Sequence, residues 1–114
     1  MFHMTHSVNH KYEAGLTASG VVVFNTQGNL WGFLAENNDN INNVYLQFYD
    51  SASGAVGTPV FTIRIPAGSA FGKDVDEIAA YHFSNGCSVR AVDDRSGSAL
   101  TAATPTVQFW YSNQ

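Results

Sequence analysis

An antiparallel β-sandwich of about seven strands, jelly-roll or immunoglobulin-like and preceded by an extended N-terminal arm, is the all-β fold class that this sequence predicts. Three observations predict it. From residue 20 onward, short apolar stretches are separated by clusters of Gly, Asn, Asp, Ser and Pro. Several of these stretches alternate apolar and polar residues, the period of a strand with one face buried. No stretch carries the 3.6-residue period of an amphipathic helix.

Taken in order, residues 1–19 form the arm and residues 20–114 the sandwich domain. The arm is polar, holds His3, His6 and His10, and as a whole shows neither strand nor helix period. Deleting residues 1–12 is therefore expected to leave the core intact. Val21, Val22, Val23 and Phe24 make a β-branched run, and residues 30–35 a second apolar stretch, with Gly32 marking a bulge or a close approach. The Asn-rich residues 37–43 read as a loop. In residues 44–50, Val44, Leu46 and Phe48 fall on one face and Tyr45, Gln47 and Tyr49 on the other. Residues 60–65 place Phe61, Ile63 and Ile65 inward, between Pro59 and Pro66, which suit strand ends. Residues 73–78 read as a helical turn or a loop, and 80–83 as a short strand. Asn85-Gly86 signals a tight turn between two extended runs. Cys87, Val89 and Ala91 then share one face, and residues 107–111 end the series with Trp110 outward.

Composition removes several classes of function. Charged residues make up 12% of the chain, against about 25% in typical soluble domains. Such a surface resists association weakly. The net charge is −4, and the five basic residues are scattered, so nucleic acid is an unsuitable partner. Apolar runs reach only four residues, where a membrane helix needs about 20. Cys87 is the single cysteine, which forbids an intramolecular disulfide. With no leader-like apolar region, the expectation is a protein made in a reducing compartment.

The candidate chemistry is sparse. His3, His6 and His10 would share a helical face, but a closed zinc site wants four ligands and an orienting shell. Asp74, Asp76 and Glu77 supply hard oxygens without the ligand spacing of an EF-hand, and read as a solvated turn. Cys87 falls on an inward face, the place of a small buried hydrophobe rather than a nucleophile. Neither a Gly-x-Ser-x-Gly elbow nor a phosphate-cradling glycine loop occurs. The expectation is a non-enzyme with no catalytic residue, cofactor or metal.

Three passages resemble small β-sandwich virion proteins of tailed bacteriophages. They are Val44-Tyr45-Leu46-Gln47-Phe48-Tyr49-Asp50 with the following Ser/Gly loop and Gly57-Thr58-Pro59; Ile63-Arg64-Ile65-Pro66-Ala67-Gly68-Ser69; and Phe83-Ser84-Asn85-Gly86-Cys87-Ser88-Val89-Arg90-Ala91. The resemblance covers about 70 of the 114 residues. It implies a structural protein of the virion, made in the host cytoplasm. Capsid decoration (cement) comes first, and a neck or tail-fibre module is also open. The partners implied are further copies of the chain, a closed trimer first, and the major capsid protein, without nucleic acid or membrane. The alternative from another class is a carbohydrate-binding module.

Six residues are candidates for interface contact: Phe2, Met4 and Tyr12 in the arm, and the outward Tyr45, Tyr49 and Trp110. Three readings stay open for the outward rings: contact with another subunit, packing within the chain, or a platform on which a sugar stacks.

Overall fold

The computed structural model describes residues 8–74, 80–94 and 103–113. These residues form nine strands: β1 (Asn9–Glu13), β2 (Val21–Phe24), β3 (Gly28–Glu36), β4 (Val44–Asp50), β5 (Phe61–Ile65), β6 (Ala70–Lys73), β7 (Tyr81–Phe83), β8 (Cys87–Val92) and β9 (Thr106–Asn113). Among the described residues no helix occurs. The strands make two antiparallel sheets. In the first, β1, β9, β3 and β6 are neighbours in that order, and β7 lies beyond β6 on the same edge of β3. The second runs β2, β8, β4, β5.

Of all consecutive strands, only β4 and β5 pair with each other, and every other connection except β6 to β7 passes from one sheet to the other. With β6 and β7 counted as one interrupted strand, this is the strand order of a jelly roll, the first of the two predicted topologies. Jelly-roll connectivity explains why Asn85-Gly86 closes no hairpin. β7 belongs to the first sheet and β8 to the second, so the turn carries the chain across the sandwich. The Asp50 carboxylate accepts the backbone N–H groups of Ser84 (3.3 Å) and Asn85 (2.8 Å) at that crossing.

Most of the inward set that alternation predicts is in the core, except that Phe61 and Ile63 are only half-buried at its edge, and the core also takes in Leu16 from the expected arm. Val44, Leu46, Phe48, Ile65, Cys87, Val89 and Ala91 are all fully buried between the sheets, with Phe33, Val107 and Phe109 facing them from the other side. The bulge expected at Gly32 is present, since the β3–β9 register shifts between Leu30 and Gly32. The extra residue, Trp31, is buried and donates its indole N–H to Ser112 Oγ at 2.8 Å.

Two strands are not visible as period-2 runs. β6 contains Gly72 and is exposed along most of its length. β1 falls within the expected arm. Asn9 to Glu13 pair along β9 from Tyr111 to Val107, so the sandwich takes in residues ahead of residue 20. Its residues are polar on both faces, as suits an edge strand, and polarity hides the period. The segment after β1 is also fastened. Leu16 is buried and donates its N–H to Pro105 O (2.9 Å), while Thr17 O accepts from Ala91 N (3.0 Å). A deletion of residues 1–12 would thus strip β1 from β9, contrary to the expectation drawn from polarity.

The Asn-rich loop 37–43 is held by its own side chains. Asn37 is buried, and its amide donates to the carbonyls of Asn42 (2.9 Å), Ile65 (3.1 Å) and Pro66 (3.3 Å). Asp39 accepts the backbone N–H groups of Asn42 and Ile41 and the Asn42 side-chain amide, which holds its carboxyl below the usual carboxylate value.

Candidate functional site

Three surfaces collect the side chains that could meet a partner. The first is the outer face of the β1–β9–β3 sheet. Antiparallel pairing sets His10 opposite Trp110 and Tyr12 opposite Gln108. The His10 and Trp110 rings lie 5.1 Å apart, tilted by 39°. His10 Nε2–H donates to Gln108 Oε1 at 2.9 Å. Tyr12 is 59% exposed, and Leu34 on β3 is also exposed. Beside Trp110 the face dips into an open hollow of about 330 Å³ lined by Leu34, Gly72, Lys73 and Asp74. Gly72 belongs to this lining, where its backbone lies so close to β3 that a Cβ would stand 2.7 Å from Phe33 O.

The second surface is the edge where the sheets open. Among the described residues β5 pairs only with β4, and β6 and β7 pair only with β3, so these strands end their sheets on the same side of the sandwich. Between them runs a groove of about 390 Å³, its lips formed by Val60, Phe61 and Ile63 on one side and Phe71 and Tyr81 on the other. Phe71 is 47% exposed, and Val60 and Tyr81 are each 41% exposed. Rings line it continuously: Phe61 packs on Phe48 at 4.5 Å and on Tyr81 at 4.8 Å, and Phe33 lies 6.2 Å from Phe71. Lys73 is the charged lining residue among those described, and its ammonium donates to Trp31 O at 2.9 Å.

The outer face of the second sheet corrects two expectations. Tyr49 is 2% exposed and Gln47 also 2%, so neither faces solvent. Gln47 Oε1 accepts from the Tyr49 hydroxyl (2.9 Å) and from Arg90 Nε (2.8 Å), and the Arg90 guanidinium lies 5.7 Å from the centre of the Tyr49 ring. The loop after β4 folds back here: Gly54 N donates to Ser88 Oγ (3.1 Å), which itself donates to Ser51 O (2.8 Å). Tyr49 is therefore an internal packing residue and leaves the set of interface candidates. Tyr45, on the same face, is half-buried. Gln47→Ala should cost about 2–3 kcal/mol, because the Tyr49 hydroxyl and Arg90 Nε–H lose this acceptor in a buried setting. A urea midpoint equal to that of the parent would show that water replaces the amide oxygen.

Of the other candidates, Tyr12 and Trp110 are brought onto one face by the β1–β9 pairing, which also recruits His10. Phe2, Met4, His3, His6, Asp76 and Glu77 lie outside the described residues. Asp74 is exposed at the end of β6. Among the described residues, no three His, Cys, Asp or Glu side chains gather as a metal site would require. Cys87 is fully buried, and that burial, with the nearby Asp50 charge, pushes its thiol far above the ordinary value, so it is held protonated. The edge groove was not foreseen, since its lips come from β5, β6 and β7, and only folding places them together. Comparison with protein-family models, curated proteins and solved structures finds no match.

Proposed function

We propose that this jelly-roll domain is a non-enzymatic structural protein that works by adhesion, as a decoration (cement) protein of tailed-bacteriophage heads bound to its own copies and to the major capsid protein. The observation that carries this reading is the open sheet edge. Val60, Phe71 and Tyr81 expose large apolar surface along one groove, on a protein whose charged content is 12%. A contiguous apolar strip of this kind favours burial against another protein. The resemblance of the β4, β5 and β7–β8 passages to phage virion proteins gives the partner class. A closed ring of copies, a trimer first, is the arrangement that suits threefold positions on a head.

The test has two arms. Sedimentation velocity of the isolated protein should show a concentration-dependent oligomer. Co-sedimentation with undecorated heads should deplete the protein from the supernatant at saturable stoichiometry. A monomer at all concentrations that also ignores the heads would end this reading.

One observation favours a second reading, a carbohydrate-binding or tail-fibre module. Tyr12, His10 and Trp110 line a flat outer face beside a shallow hollow with the polar groups of Lys73 and Asp74, and sugars stack on rings of this kind. Quenching of tryptophan fluorescence by oligosaccharides, abolished in Trp110→Ala, would support it.

A further inference from the structure

We propose that the groove between β5 and the β6–β7 edge is the seat for residues 1–7 of a neighbouring copy, added as an extended strand with Phe2 and Met4 pointing into it. This rests on the self-associating role proposed above and names the surface that carries it. Among the described residues the groove is lined by Val60, Phe61, Ile63, Phe71 and Tyr81, with Lys73 as the charged group, so a polar ligand would find few partners on these side chains. An apolar insert is the chemistry that fits. Among the described residues the strands on either side each end a sheet, and a sheet edge of this kind accepts an extended peptide through backbone hydrogen bonds while alternate side chains fill pockets.

Residues 1–7, which lead into β1, match that demand. Phe2 and Met4 are spaced i, i+2 and so share one face of an extended chain, with His3 and Thr5 on the other. The segment contains no Asp, Glu, Lys or Arg, so no carboxylate or guanidinium side chain and no lysine ammonium need be desolvated beside the rings.

Reach selects a neighbour over the chain's own groove. β1 and β6 lie at opposite edges of one sheet. Asn9 aligns with Tyr111, Leu30 and Tyr81 across the sheet, and Phe71 lies farther along the edge, opposite Ala35. At ordinary strand spacing and rise the straight path from Asn9 to Phe71 is about 20 Å. Seven residues fully extended span at most about 25 Å. Crossing three strand spacings to that edge takes about 14 Å of this length, which leaves too little of the same chain to run along the groove as an added strand, whereas the segment of a second copy can lie along its full length.

The experiment uses the full chain. Phe2→Cys and Phe71→Cys variants are mixed and oxidised mildly; the buried, protonated Cys87 keeps the background silent. The proposal expects a mixed disulfide dimer, identified by peptide mass. It also expects Phe71→Glu, and Val60→Glu on the opposite lip, to weaken self-association at least tenfold while leaving the protein cooperatively folded, since both residues stand exposed on the rim of the groove and outside the buried core. If the parent associates but neither the mixed disulfide nor the weakening appears, the groove assignment falls and the adhesive reading stands. If the parent is monomeric, the assignment falls together with self-association. A Phe2→Cys/Phe71→Cys double variant that cross-links at monomer mass would place the segment in its own groove and overturn the proposal as well.

Discussion

Phe48→Ala should remove about 3–5 kcal/mol of stability. The ring has no exposed surface and sits between Phe61 (4.5 Å, stacked) and Phe33 (5.3 Å), which face it from its own sheet and from the opposite one. Truncation loses the transfer energy of the ring and leaves a void that two rigid aromatic neighbours fill only in part. The loss would also loosen the floor on which Phe61 presents itself to the edge groove. The measurement is a urea unfolding curve followed by tryptophan fluorescence, with the midpoint lowered and the slope kept. A shift under about 1 kcal/mol would mean that the two sheets close over the gap, and that the sandwich is far softer than its packing implies.

Gly86→Ala should be comparably damaging, at about 3–5 kcal/mol, for a backbone reason. Gly86 has a φ of 149°, which a residue with a Cβ rarely adopts. A Cβ there would stand 2.7 Å from Phe24 O, 2.9 Å from Ala52 Cα and 3.1 Å from Ser51 O. None of these atoms is the free end of a flexible side chain, so relief requires moving the chain where β7 hands over to β8. Gly86 O also accepts the Ser51 N–H at 3.0 Å, which joins this crossing to the end of β4. The expected result is a protein that melts well below the parent. Gly54→Ala is the control: its φ is also positive, at 114°, but no atom lies within 4 Å of the added Cβ. Equal midpoints for the two variants would show that strain in φ, and not the close approach, sets the cost.

The candidate surfaces were legible only where strand pairing was local or the outward residue had nothing above it. Trp110 and Tyr12 could be named as outward or apolar, but their union with His10 required β1 to pair with β9, residues about a hundred positions apart in the chain. Tyr49 and Gln47 carried the same outward signal as Tyr45. Both are nevertheless buried, bonded to each other and, through Gln47, to Arg90, contacts that alternation cannot register.

By itself the sequence determined the β class, the absence of an intramolecular disulfide and the inward sets Val44/Leu46/Phe48 and Cys87/Val89/Ala91. Period-2 patterning is a property of each strand alone, since successive side chains point to opposite faces whatever lies beside them. Only the tertiary structure decided which sheet each strand joins, that Asn85-Gly86 crosses between sheets, that β1 belongs to the domain, and that β5, β6 and β7 end together around an apolar groove. Those outcomes depend on pairing between distant segments and on what covers the second face of each strand. Alternation marks which face is apolar, and it carries no information about the neighbour that buries it.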